Sequence, residues 1–279
     1  MNRKKGALVG AVVGDLIGAT YEFRKPSEIP AKRLTVEGGG VFNFPPGVGT
    51  DDTDLLFASL AGYDHRGQWH PDNALTEMLA WLATGPRDVG NQTLSALSDW
   101  ADGREPERDE SAQGNGGLMR AAAHAIMGTS VKTAAANAAD DTLLTHPSDV
   151  AAKTSYAMAS TAYRTIQGQF HDRMDRGRAK FIPYPLYISK LSGHCVHTLR
   201  LAMTALHTAA SFEEGIDAVV RTGGDTDTNA AVAGALLGAK FGLEGIPADW
   251  RAGISPELAA KIEAECNRLG IKEEEYADL

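Results

Sequence analysis

Glycine recurs at every fourth position near the start of this 279-residue chain, and that spacing restricts how the segment can pack. A helix is predicted over residues 6–22, and its glycine stripe consists of Gly6, Gly10, Gly14 and Gly18. Each glycine costs a helix about 1 kcal/mol relative to alanine. Four of them need a compensating contact, and missing side chains allow the close approach of a second helix.

A second helix with the same glycine spacing is predicted over residues 230–241. Its stripe is formed by Gly234, Gly238 and Gly242. We infer that the two glycine-striped helices pack against each other and run antiparallel. That orientation places Glu22, at the end of the first helix, near Asp225 and Asp227, at the start of the second.

Strand signals are nearly absent, because no segment alternates apolar and polar residues over five or more positions with β-branched enrichment. Several further segments have helical patterns, and 43% of the residues are hydrophobic, enough for a sizeable core. The sequence contains no linker, low-complexity tract or internal repeat. We therefore predict an all-α fold with one domain over residues 1–279.

The composition limits the compartment and the partners. A formal charge of -9 argues against a general binder of nucleic acid or anionic membranes. The two cysteines, Cys195 and Cys266, fit a reducing cytosol and exclude a cysteine-based zinc cluster. The basic and apolar start imitates a secretory signal, but Asp15 and Glu22 interrupt it, and no apolar run reaches the roughly 20 residues that span a bilayer. We expect a cytoplasmic monomer without a membrane partner.

The segment RTGGDTDTN, residues 221–229, concentrates acidic and hydroxyl side chains just before the second striped helix. Asp225 and Asp227 are separated by one residue, so at a loop-to-helix junction both can converge on one cation. Thr228 adds a hydroxyl oxygen, and hard divalent cations prefer such all-oxygen ligand sets. Helix capping is the alternative interpretation, but one cap needs one such residue and this segment offers four in a row.

A similar cluster, Thr50-Asp51-Asp52-Thr53-Asp54, follows a long irregular segment over residues 23–50. Adjacent carboxylates repel each other, and a cation would relieve that cost. On a regular helix Asp51 and Asp52 point about 100° apart, so they can share a site only from its first turn or the preceding loop. The two acidic clusters suggest two halves of one binuclear site.

Four further features have both functional and structural interpretations. Asp15 and Glu22 share one face of the first helix, where Glu22 could equally be a solvated surface acid. The glycine-rich turn 114–117 could expose backbone N–H groups to a phosphate, although it lacks the Walker A lysine and is weak evidence alone. His146 precedes a proline and could contact a ligand, cap a helix or be exposed. The basic segment 168–180 could meet an anionic substrate or be a solvated loop.

Together these motifs resemble the ADP-ribosylglycohydrolase family, in particular its dinitrogen-reductase-activating type. The likeness covers nearly the whole chain and rests on five motifs in order: Gly14-Asp15 through Gly18-Ala19 with Glu22, Thr50-Asp51-Asp52-Thr53, Gly114-Asn115-Gly116-Gly117-Leu118-Met119-Arg120, Thr145-His146, and Gly223-Gly224-Asp225-Thr226-Asp227-Thr228. The resemblance implies a compact orthogonal helical bundle. It also implies two Mg²⁺ or Mn²⁺ ions and hydrolysis of the bond at the anomeric carbon of ADP-ribose.

The resemblance also assigns roles to individual residues. One ion would be held by Thr50, Asp51 and Asp52, and the other by Asp225, Asp227 and Thr228. Glu22 would orient or deprotonate the attacking water, with Asp52 and Asp227 also in the catalytic set. The substrate side would comprise Asn115, Gly116, Gly117, His146, Ser192 and His194, with Asp15 behind the metals. The chain departs from the family pattern at Ala112, Gln113 and His194, which stand where the family often has a serine, an aromatic residue and a tyrosine.

The expected substrate is an ADP-ribosylated protein, with arginine favoured as the acceptor, or a small molecule that contains ADP-ribose. Serine, O-acetyl and nucleic-acid linkages are alternatives, and loop 23–49, through Phe42 and Phe44, would discriminate among them. A non-catalytic ADP-ribose reader or toxin-neutralising protein is a second possibility. A two-metal phosphohydrolase that releases AMP is a third.

Overall fold

The computed structural model of the protein describes residues 2–170 and 193–271. Within these ranges the chain forms twelve α-helices and no β-strand, as the sequence predicts. In chain order they are α1 Arg3–Gly18, α2 Asp51–Ala61, α3 Pro71–Ala83, α4 Asn91–Ala101, α5 Ala122–Met127, α6 Val131–Leu143, α7 Asp149–Ile166, α8 Cys195–Thr208, α9 Phe212–Val220, α10 Thr226–Phe241, α11 Ala248–Ala252 and α12 Pro256–Arg268. The buried face of helix α6 consists mainly of alanines.

The two glycine-striped helices, α1 and α10, pack antiparallel along almost their whole length at the centre of the molecule. A Cβ atom added at Gly10 would overlap the Gly234 carbonyl oxygen, and one added at Gly6 would overlap that of Gly238. Likewise, Cβ atoms added at Gly234 and Gly238 of α10 would overlap carbonyl oxygens of α1. The glycines therefore permit direct backbone contact, and the predicted antiparallel pairing is confirmed.

The remaining helices surround this pair. Helices α8 and α9 pack on α10, while α5, α6 and α7 pack on one another, and nearly every residue of α1 and α10 is buried. Burial on all sides explains why these two helices are apolar all round instead of carrying one apolar stripe. None of the helices described in residues 2–170 and 193–271 is both long and apolar enough to cross a membrane.

Both acidic clusters lie in the first turns of helices. Helix α10 begins at Thr226, four residues earlier than predicted, so Asp227 is part of the helix. Helix α2 begins at Asp51, and the Thr50 hydroxyl accepts a 3.2 Å hydrogen bond from the Asp52 backbone N–H. Helix N-termini favour nearby negative charge, so both helices support the acids at their starts.

Candidate active site

A cavity of about 620 Å³ opens where α1, α2 and α10 bring their ends together. Eight predicted site residues line it: Glu22, Asp51, Asn115, Gly116, His146, Asp225, Asp227 and Thr228. The other lining residues are Phe23, Phe42, Asp88, Val89, Gly90, Asn91, Gln92, Thr93, Gly114, Met119 and Gly193. The cavity thus joins segments that are far apart in the sequence.

The acids meet at one end of this cavity. Carboxylate oxygens of Glu22, Asp88 and Asp227 all lie within 4.8 Å of one another. Asp52 is connected to the same group, because its Oδ2 accepts a 3.1 Å hydrogen bond from the Thr228 hydroxyl. The cluster therefore draws on both acidic motifs and on the end of α1.

Burial and mutual repulsion make this cluster costly when its carboxylates are charged. Burial is the largest cause that raises the pKa of Asp51, Asp52 and Asp227 well above the usual range, and neighbouring carboxylates raise it further. The pKa of Glu22 rises to about 9, first through burial and then through Asp88 and other nearby acids. A cation would relieve both effects.

The donor set fits hard divalent cations. Asp52 Oδ1 and Asp227 Oδ1 are buried and have no hydrogen-bond partner in the part of the chain that the structure describes. A buried carboxylate oxygen without a partner is costly, whereas Mg²⁺ and Mn²⁺ bind such oxygens. The geometry of the acidic cluster is therefore suited to a metal centre.

Asp88 belongs to this cluster, and the sequence reasoning missed it. It lies in the loop between α3 and α4, and burial followed by repulsion from Asp15 and Asp225 raises its pKa to about 6. Its neighbours in the sequence are Arg87 and Val89, so no second acid or hydroxyl marks the position. Only the folding of the loop over the start of α2 brings Asp88 into the cavity.

Asp15 does not line the cavity and lies behind it. Its carboxylate accepts hydrogen bonds from the Thr50 backbone N–H at 3.0 Å, from the Thr50 hydroxyl at 2.9 Å and from the Thr53 hydroxyl. Asp15 thus holds the start of α2 against α1. Thr50 is equally buried, and its hydroxyl is engaged by Asp15 and by the Asp52 N–H.

The glycine-rich turn forms another part of the wall. The Asn115 side chain donates to Asp225 Oδ2 at 2.6 Å and to the Thr198 hydroxyl at 2.9 Å, so it braces the acidic cluster. Gly116 lies against the His146 ring, where a Cβ atom would be too close. Gly117 does not line the cavity and packs against the Thr142 side chain.

His146 lines the cavity and is supported from behind by a buried arginine. The Thr145 hydroxyl lies 2.9 Å from His146 Nδ1 and also accepts a 2.9 Å hydrogen bond from Arg120. Arg120 additionally donates to the Gly116 carbonyl oxygen at 2.7 Å, so it fixes both the histidine and the turn. Burial, and secondarily the charge of Arg120, lower the pKa of His146 to about 3. The imidazole is therefore neutral.

His194 does not reach the cavity. Its Nδ1 accepts a 3.2 Å hydrogen bond from the Val196 N–H, which makes it the N-cap of α8, and its Nε2 pairs with Gln113 Oε1 at 2.8 Å. Helix α8 accordingly begins at Cys195. Ser192 and the basic positions Arg173, Arg176, Arg178 and Lys180 lie outside the described residues.

Comparisons with known proteins match the chain to one family. The family model described as ADP-ribosylglycohydrolase matches residues 1–277. The chain is 28% identical to the ADP-ribosylarginine hydrolase Tri1 of Pseudomonas putida (strain GB-1), covering 90% of this chain and 73% of that protein. It is also 28% identical to the ADP-ribosyl-[dinitrogen reductase] glycohydrolase of Rhodospirillum rubrum, over 96% and 94% of the two chains.

A solved structure described as an ADP-ribosylglycohydrolase-related protein complex has the same fold, with a TM-score of 0.77 and 28% identity over 96% of both chains. The helical bundle and the match over nearly the full length define a glycohydrolase. The chain belongs to the ADP-ribosylglycohydrolase family.

Proposed function

We propose that this enzyme removes ADP-ribose from modified arginine side chains and that it depends on two divalent cations, Mg²⁺ or Mn²⁺. The observation that carries the proposal is the convergence of Glu22, Asp88 and Asp227 in one cavity, beside a glycine-rich turn. The names of two similar proteins, which specify ADP-ribosylarginine and dinitrogen reductase, support the choice of linkage.

The cations would be held by the acidic cluster. Asp51 and Asp52, with Thr50, would supply one set of oxygens, while Asp225, Asp227 and Thr228 would supply the other. Asp88 would also supply an oxygen, because its carboxylate lies within 4.8 Å of those of Glu22 and Asp227. When bound, the cations would polarise ribose hydroxyls and the attacking water.

The chain's own residues would orient the reaction. Glycine-rich turns offer backbone N–H groups to phosphates, so the diphosphate is expected at residues 114–117 and His146, with the ribose over the acidic cluster. Glu22 would accept a proton from the water as its oxygen bonds to the anomeric carbon and the bond from that carbon to the guanidine nitrogen breaks. The guanidine leaves with its bonding electron pair and takes up a proton, which Glu22 can return from the attacking water.

We propose that residues 1–279 form one domain, that this domain acts as a monomer, and that it works in the cytoplasm. The partner is a protein that carries ADP-ribose, and small ADP-ribose conjugates are the secondary substrates.

A product assay on defined linkages tests the function. Arginine-linked, serine-linked, O-acetyl and nucleic-acid-linked ADP-ribose would each be incubated with Mg²⁺, Mn²⁺ or excess chelator. We expect release of intact ADP-ribose from the arginine conjugate, only with a cation, and no release by Asp227→Asn. Asp72→Asn, a change of an exposed acid on α3, is the matched control.

Other products would contradict specific parts of the proposal. Release of AMP would indicate a phosphohydrolase, and full activity in chelator would refute the metal mechanism. Tight binding of ADP-ribose without turnover on any linkage would indicate a reader.

A further inference from the structure

Phe23 has a backbone conformation that disfavours a bulky side chain, and its ring is not buried in compensation. Its φ angle is 60°, in the left-handed region that is costly for a bulky side chain, and its ring is 62% exposed. Glycine would adopt this backbone without strain, and an exposed ring gains little from burial. A large aromatic side chain at this position therefore points to a role at the surface that it lines.

Two backbone hydrogen bonds fix this conformation beside the acidic cluster. The Phe23 N–H donates to the Gly224 carbonyl oxygen at 2.6 Å, and the Gly224 N–H donates to the Arg24 carbonyl oxygen at 2.9 Å. Gly224 directly precedes Asp225, and Phe23 directly follows Glu22. The phenyl ring is thus placed relative to the acids by a rigid, paired backbone.

A second aromatic residue extends this surface. The rings of Phe23 and Phe42 pack edge to face, with centroids 6.4 Å apart, and both side chains line the cavity. We call this pair the aromatic rim. The cavity wall then has three chemically different parts: the acids, the glycine-rich turn with His146, and the aromatic rim.

Each part suits a different portion of a conjugate between ADP-ribose and an acceptor. The turn suits the diphosphate and the acids suit the ribose. The aromatic rim adjoins the acids, because Phe23 follows Glu22 and pairs with Gly224 beside Asp225, so it lies at the acceptor end of the ribose and not at the adenosine beyond the diphosphate. We propose that Phe23 and Phe42 bind the acceptor and select a cationic guanidinium over a neutral ester or ether. This proposal rests on the proposed function and specifies which wall of the same site sets the linkage.

Charge complementarity supports a guanidinium as the occupant. A planar guanidinium stacks on aromatic faces and gains cation–π attraction there. A serine or acetyl acceptor carries no charge and gains neither effect.

The test uses Phe23→Gly, which removes the ring while the backbone keeps its φ angle, so folding is not compromised. Phe23→Tyr keeps an aromatic face. Asn43→Gly is the matched control, because Asn43 also has a left-handed φ angle of 54° in the same loop but does not line the cavity. The measurements are kcat/KM on arginine-linked and O-acetyl ADP-ribose, and the Kd of free ADP-ribose.

We expect Phe23→Gly to lower kcat/KM on the arginine conjugate by about tenfold, with little change on O-acetyl ADP-ribose or in the Kd of free ADP-ribose. Phe23→Tyr and Asn43→Gly should retain wild-type selectivity. Equal losses on both substrates, an unchanged arginine activity, or a matching loss in ADP-ribose affinity would each overturn the proposal. A wild-type protein that cannot cleave the arginine conjugate overturns the proposed function itself, which is a separate result.

Discussion

The Thr226 hydroxyl donates a 2.7 Å hydrogen bond to the carbonyl oxygen of Gly18. This contact lies at the point where α1 ends and α10 begins, so it fixes the register of the two central helices. Gly18 precedes Glu22 by four residues, and Thr226 lies between Asp225 and Asp227. The packing that forms the core of the protein therefore also assembles the acids of the candidate site.

Gly14→Ala should destabilise the protein although alanine is the better helix former. The added Cβ would overlap backbone atoms of Ala230, which cannot move without separating α1 from α10. Overpacking of a core usually costs about 1–3 kcal/mol, and a backbone obstacle belongs at the upper end of that range. We expect a loss of at least about 2 kcal/mol in the free energy of unfolding, measured with urea.

Gly215→Ala is the control for this substitution. Its Cβ would meet mainly the side chain of Leu237, whose terminal methyl groups can rotate away. The control should therefore lose less stability than Gly14→Ala. Equal losses of stability in the two variants would show that the glycines are not required for the backbone contact between α1 and α10.

Asp88→Asn should stabilise the cation-free protein and weaken its binding of cations. Without a cation the amide removes one repelling carboxylate from the cluster, so the Tm in chelator should rise. With Mn²⁺ the cluster loses a negatively charged oxygen donor, and we expect the cation affinity to fall by about 10–100-fold. Thermal unfolding in chelator measures the Tm, and titration with Mn²⁺ measures the cation affinity. The control Asp102→Asn changes an exposed acid and should alter neither quantity.

The sequence predicted the features that are encoded locally or periodically. The glycine stripes revealed the pairing of α1 with α10, and the runs at Thr50 and Asp225 marked the acidic clusters. Asp88 could not be found, because a lone acid in a loop resembles any exposed aspartate until tertiary packing buries it. Gly117 and His194 lie in recognisable motifs, but the contact of Gly117 with Thr142 and the pairing of His194 with Gln113 are made with residues distant in the sequence.

The pH dependence of stability should differ between the cation-free and cation-bound protein. The pKa of Glu22 is about 9 in the fold and near its ordinary value of 4.5 when unfolded. Between these values the folded state keeps a proton that the unfolded state releases, so stability falls as the pH rises from about 5 to about 9. The raised pKa values of Asp51, Asp52 and Asp227 act in the same direction.

Excess Mn²⁺ should weaken this decline, because cation binding and proton binding compete for the same carboxylates. Tm values measured from about pH 6 to about pH 9, with Mn²⁺ or with chelator, would show the effect. Glu22→Gln in chelator should show a shallower decline than the wild type. Identical pH profiles with and without Mn²⁺ would contradict the assignment of the acids to a cation site.

Thr145→Val should change which nitrogen of His146 carries the proton. Arg120 donates to the Thr145 hydroxyl oxygen, so the hydroxyl hydrogen is directed to His146 Nδ1, and the neutral ring carries its proton on Nε2. Nε2 lies beside Gly114 and Gly116, where it can donate to an oxygen of the substrate. Valine keeps the shape of threonine and removes this constraint.

Long-range ¹H–¹⁵N spectra of histidine-labelled protein distinguish the two tautomers, with His146→Gln used to assign the signal. The wild type should show the form protonated at Nε2 without titration above pH 5, since burial and Arg120 lower the pKa of His146 to about 3. Thr145→Val should show a mixture of tautomers and a KM up to about tenfold higher, because a substrate hydrogen bond is lost from part of the population. Thr145→Ser retains the hydroxyl and should behave as the wild type. A ring that stays protonated at Nε2 in Thr145→Val would mean that the contact with Arg120 through Thr145 does not set the tautomer.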